Sequence, residues 1–163
     1  MSCVSLRLFP SRVIKLCLVV VCAVAFLIVP AGSSFAQRPG PDNPLFSDFK
    51  GVHIGMATED ARKKLGNPRD KGDDQDFYIL NDNQAIQIFY DKAKTVTAIS
   101  IDFMNGANPI PAAKDVVGSD PETKSDGSAY KMVRYPKAGY WVSYSRTAGN
   151  SPTITITMQK IEH

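Results

Sequence analysis

Beyond residue 36 the chain has no cysteine, because Cys3, Cys17 and Cys22 are the only three it contains. That stretch can build no disulfide framework, no thiolate nucleophile and no cysteine-ligated zinc site. Histidine is almost as scarce. His53 precedes the first expected helix and His163 is the last residue, so a histidine-based triad or zinc centre lacks convergent partners. A charge surplus is also missing. Three of the nineteen Lys and Arg (Arg7, Arg12, Lys15) and none of the sixteen acids lie in residues 1–36, which leaves sixteen of each sign over 37–163. The basic isoelectric point therefore belongs to the leader and is no nucleic-acid footprint. Finally, the apolar run Leu16 to Val29 is only fourteen residues. As a helix it spans about 21 Å, short of a bilayer core of about 30 Å.

What the leader does contain is a basic start, that apolar run, and the small residues Ser34 and Ala36 around Phe35. This pattern predicts a cleaved secretory signal over 1–36, with cleavage near Ala36. Cys22 follows Val21 in mid-run, which is no lipid-attachment site. The product is expected to be bacterial and periplasmic or secreted, with no stable membrane insertion after cleavage. Residues 37–44, opening QRPGPDN, read as a flexible tail, and 45–163 as a single domain.

Within that domain one pattern occurs twice. In the segment 51–103, Thr58 is placed as an N-cap, Glu59 and Asp60 follow in the first turn, Lys63 and Lys64 stand in the last, and Gly66 and Pro68 stop the helix. Three β-rich runs follow: Phe77 to Leu80, Ala85 to Tyr90 and Thr95 to Phe103. In the segment 108–161 a short helix ends at Val117-Gly118, and three more runs end near Ile161. The expected fold is α+β: two helix–three-strand repeats forming an antiparallel sheet of about six strands, with short helices on one face.

Alternation assigns each strand residue to a face. The helix-covered face is expected to hold Phe77, Ile79, Ile86, Ile88, Tyr90, Ile99, Ile101 and Phe103, then Tyr130, Met132, Tyr140, Val142, Tyr144, Ile154, Ile156 and Met158. The open face is then expected to carry Tyr78, Leu80, Gln87, Phe89, Lys131, Val133, Tyr135, Trp141, Ser143, Thr155 and Thr157. Aromatic anchors ringed by polar groups are how binding surfaces are built. Trp141, Phe89, Tyr135, Lys131, Tyr78 and Gln87 are accordingly the candidate binding residues.

Other chemistry is thin. Asp70, Asp73, Asp74 and Asp76 cluster in RDKGDDQD, but the spacing is not that of a calcium loop, and Arg69 and Lys71 balance the charge of a solvated segment. No pair of carboxylates stands out for acid–base work. No catalytic residue, metal site or cofactor is expected.

The stretch GVHIGMATEDARKKLGNP resembles the signature of the SmpA/OmlA (BamE-like) small envelope-protein family, carried by Ile54, Gly55, Met56, Thr58, Leu65, Gly66 and Pro68. The tandem arrangement resembles the beta-lactamase inhibitory proteins, which present a concave sheet to a partner. Both resemblances imply binding rather than catalysis. The expected function is a secreted or periplasmic non-enzymatic module whose open sheet face binds an envelope protein or polymer. The alternatives are a small inhibitor or regulator of an extracytoplasmic enzyme, and a self-associating structural envelope protein.

Overall fold

A computed structural model describes residues 43–162. The expected signal peptide, most of the tail and His163 lie outside the described residues. Helix α1 spans Thr58–Leu65 and is followed by strands β1 (Asp70–Lys71), β2 (Gln75–Asn81), β3 (Gln84–Tyr90) and β4 (Val96–Phe103). Helix α2 (Ala113–Val117) then precedes β5 (Ala129–Tyr135), β6 (Tyr140–Arg146) and β7 (Ile154–Lys160). All seven strands join one antiparallel sheet in the order β1-β2-β3-β4-β7-β6-β5. The seventh strand beyond the expected six is β1, a two-residue edge formed where the acidic segment folds back on β2, with Asp70 opposite Phe77. Among the described residues no helix is long and apolar enough to cross a membrane.

The helix ends follow from their residues. Gly66 closes α1 at φ 85° and Gly118 closes α2 in the left-handed region at φ 80°, a backbone state that costs glycine little. The N-terminus of α1 differs from expectation. Thr58 is the first helical residue rather than its cap, and its hydroxyl donates to the Lys94 carbonyl at 2.9 Å. Its amide donates to the same carbonyl at 2.9 Å, so Thr58 ties the helix start to the β3–β4 turn.

The core lies between the helices and one face of the sheet. Ile86, Ile88, Ile99, Ile101, Phe103, Val142, Ile156 and Met158 are all essentially inaccessible, and Ala61, Val116 and Val117 cover them from the helices. Each such aliphatic side chain stabilises the fold by about 1.5–3 kcal/mol when fully buried. Phe49, from the segment ahead of α1, seals one end edge-on against Phe103 at 6.5 Å.

The face assignment holds for β3, β4, β6 and β7 and is inverted for β2 and β5. Tyr78 stands opposite Ile86, and Lys131 opposite Tyr144, so both face the core side. Phe77, Ile79, Tyr130 and Met132 therefore point the other way, and Ile79, Tyr130 and Met132 are exposed. The cause in β2 is Asp76. It is wholly buried among hydrogen-bond donors, and a satisfied buried carboxylate sets the strand's phase more firmly than the apolar Phe77 beside it.

Candidate functional site: the open sheet face

The strand register resolves the uncovered face into three rows that cross six strands from β2 to β5. One row runs Gln75, Phe89, Ala98, Gln159, Trp141, Arg134. The next runs Phe77, Gln87, Ser100, Thr157, Ser143, Met132. The third runs Ile79, Ala85, Asp102, Thr155, Ser145, Tyr130. The central strands β4 and β7 carry mostly short or polar side chains, and the large apolar ones stand on the flanking strands. The result is a trough. Its floor is low enough that Ala98 and Ser143 are buried by taller neighbours.

The trough tapers. In the first row Phe89 and Trp141 are three strand steps apart, about 14 Å at about 4.8 Å per step. In the other rows the tall side chains, Phe77 with Met132 and Ile79 with Tyr130, are five steps apart, about 24 Å. The floor's polar groups largely satisfy one another. Thr155 donates to the Asp102 carboxylate at 2.6 Å, Ser100 and Thr157 are 3.4 Å apart, and the Gln87 amide donates to Gln75 at 3.1 Å. At the β2 end, an open pocket of about 360 Å³ lies beside Phe77 and Gln87 and is closed by the β1 turn.

Three of the six expected binding residues, Trp141, Phe89 and Gln87, are brought together on this face. The other three are not there. Tyr78 and Tyr135 are 2% and 1% exposed and belong to the core, where Tyr135 packs on Tyr140 with ring centroids 6.2 Å apart. Lys131 is on the core-side phase of the edge strand and donates to the Ser119 hydroxyl. Of the remaining residues placed on the open face, Leu80 and Val133 pack against the core, whereas Ser143, Thr155 and Thr157 are on the face as expected. Phe77, Ile79, Tyr130, Met132 and Asp102 were missed. β2 gave no local signal: taken as a strand residue, the polar Asp76 would be placed outward and would reinforce the phase with Phe77 and Ile79 inward. AYKMVRY in β5 reads as amphipathic in either phase.

A second polar constellation lies under the opposite face. The Arg62 guanidinium donates to both oxygens of Asp76, at 2.7 Å from Nε and 2.9 Å from Nη2. The hydroxyls of Tyr90 and Tyr78 donate to the same carboxylate at 2.8 and 3.3 Å, and the Gly72 amide at 3.2 Å. Arg62 also lies over the Tyr90 ring at 5.7 Å. Burial pushes the Asp76 carboxyl up, but Arg62, Tyr90 and Gly72 together hold it below the usual carboxylate range. Burial and the neighbouring Asp76 charge push the Tyr78 hydroxyl up to about 12. Among the described residues no buried side-chain polar atom lacks a hydrogen-bond partner. The cluster is a clamp that ties α1 and the β1 turn to the sheet, and it corrects the expectation that Asp76 is part of a solvated acidic loop. A signal for Arg62 was its helical spacing from Thr58, which puts it beside the buried stripe.

His53 is exposed, with its Nδ1 3.0 Å from the Ile54 carbonyl oxygen. Among the described residues no group of three or more His, Cys, Asp or Glu is arranged to hold a metal ion. A scan against protein-family models, a search of curated proteins and a search of solved structures returned no match to this chain.

Proposed function

We propose that this chain is a non-enzymatic binding module of the bacterial cell envelope, secreted or periplasmic, that grips its partner with the open face of its sheet. The observation that carries this reading is the set of apolar side chains left on the solvent side. The core is complete without them, yet Ile79, Tyr130 and Met132 remain 52%, 57% and 40% exposed. They share the face with Phe77, Phe89 and Trp141. They form two apolar walls on either side of a polar floor, and Trp, Tyr, Phe and Met are the residue types that interface centres favour.

The strand order supports reading 51–103 and 108–161 as two copies of one helix–three-strand unit. The last strand of each segment meets the other at the centre, and the earlier strands run outward in matching order. In that reading the duplication doubles the width of the binding face. The SmpA/OmlA-like motif around α1 then has a structural role: it starts and stops the helix that covers the opposite face.

The test compares the protein with its Trp141→Ala variant on immobilised envelope fractions. A central aromatic anchor typically contributes 2 kcal/mol or more, so retention should fall about 30-fold or further while the thermal unfolding midpoint stays close to wild type. Undiminished retention by a folded variant removes the face as the binding site.

A further inference from the structure

The trough also carries a charge with no counter-ion among the described residues. Asp102 sits in its floor, half-buried on the central strand β4. It accepts a hydrogen bond from Thr155 at 2.6 Å, and among the described residues no cation stands within salt-bridge distance of it. A carboxylate offers about four acceptor positions, so most of its capacity is free. Arg134 is the only basic residue in the three rows. It lies in a different row and three strands away from Asp102, on the edge strand β5.

Resting on the reading of this face as a binding surface, we propose that its occupant is an amphipathic α-helix of a partner protein that delivers one Lys or Arg side chain, set among apolar ones, to Asp102. Three features of the face favour this over other occupants. At the row of Phe89 and Trp141 the strands are about 14 Å apart, room for a helix of about 10–12 Å diameter, and the face widens to about 24 Å at the row of Asp102, where a long basic side chain can reach down to the floor. The walls are apolar and the floor's neutral hydrogen-bonding groups are mostly paired with one another. A helix with an apolar stripe needs only the walls, and its basic residue meets Asp102, the one acid in the three rows. A second copy of this chain fits poorly, because two such troughs laid face to face and aligned bring wall against wall. A lone anionic floor also disfavours polyanions. Charge pairing across a desolvated contact gives direction and specificity as well as attraction.

Selection from a displayed library of random 16-residue peptides tests the proposal. The purified protein is the target, and the Trp141→Ala variant is used to remove background binders. Enriched sequences are expected to place a Lys or Arg among apolar residues at helical spacings of three and four. Synthetic copies should bind at least 10-fold more weakly to Asp102→Asn than to wild type. Replacing the peptide's basic residue with Gln should cause a similar loss, with little further loss when both changes are combined. Enrichment of peptides that lack a basic residue, of period-two alternating sequences, or of binders indifferent to Asp102→Asn overturns the proposal. So does failure to enrich any sequence above the Trp141→Ala background, concentration-dependent dimerisation that buries Trp141, or saturable binding of neutral glycans to the trough. Loss of envelope retention in Trp141→Ala with full retention in Asp102→Asn would remove the basic helix while leaving the binding face in place. Retention unaffected by Trp141→Ala removes both.

Discussion

Replacing Asp76 with Asn keeps the side chain's shape and deletes its charge, and the clamp should respond with a large loss of stability. Asp76 is wholly buried and accepts from two nitrogens of Arg62, two tyrosine hydroxyls and one backbone amide. An Asn amide presents its own donors to a ring of donors, and it strands a guanidinium whose side chain is only 15% exposed. Breaking one side of a buried pair costs about 3–5 kcal/mol. The low end applies here, about 3 kcal/mol, because Arg62 keeps Glu59 at 2.8 Å and the Gly72 carbonyl at 3.0 Å. Arg62→Met removes the cation and leaves the buried carboxylate with three neutral donors, again at a cost of about 3 kcal/mol or more. Since both changes delete the same interaction, the double variant should lose less than the sum of the two, by at least about 1.5 kcal/mol. Urea unfolding of the four proteins gives the cycle directly. Strict additivity, or an Asp76→Asn variant within about 0.5 kcal/mol of wild type, would refute the account of the clamp.

Four further outcomes follow from the same structure. Asp76 titrates below its ordinary value in the folded protein, so its stabilisation is complete above the unfolded value of about 3.9 and is lost as pH falls through the lower folded value. Acid unfolding should show that loss, and Asp76→Asn should flatten it; an unchanged acid limb counts against the assignment. Tyr78 moves the other way, to about 12, so its contribution holds below the unfolded value of about 10 and fades as pH rises from there toward 12; burial raises Tyr90, Tyr135, Tyr140 and Tyr144 as well, so ultraviolet absorbance titration should show a group of tyrosines ionising late, and Tyr78→Phe should remove one tyrosine's share of that late step. Gly118→Ala forces a side chain into φ 80° and should cost about 1 kcal/mol in thermal unfolding. The exposed pair Lys63–Asp60, at 3.0 Å and 76% and 58% exposed, should by contrast tolerate Lys63→Ala within about 0.5 kcal/mol in the same assay.

How far the sequence revealed this molecule differs from strand to strand. The stops at Gly66 and Gly118 and the apolar alternation of β3, β4 and β7 were legible, because each rests on a local property: positive φ, or a run of β-branched residues with one apolar phase. Two strands were not legible from apolarity. In β2 both phases are apolar, Phe77 and Ile79 on one side and Tyr78 and Leu80 on the other, and the tie is broken by the partners of Asp76, one of which lies fourteen residues back at Arg62. In β5, Tyr130 and Met132 compete with Val133 and Tyr135, and only tertiary packing under α2 and against Tyr140 decides. The same two strands hold the missed site residues, because a one-residue error in phase exchanges core for surface along a whole strand. The gap at Asp102 was legible in neither way. It depends on which side chains stand beside it in three dimensions.

The most direct test of the binding face is photo-crosslinking from position 141 in the native compartment, with Lys63 on the exposed side of α1 as the control position. The account predicts a discrete crosslinked partner from position 141, its loss when Phe89 is also replaced by Ala, and no such product from position 63. The same product from both positions, or none from position 141 in a folded protein, would contradict it.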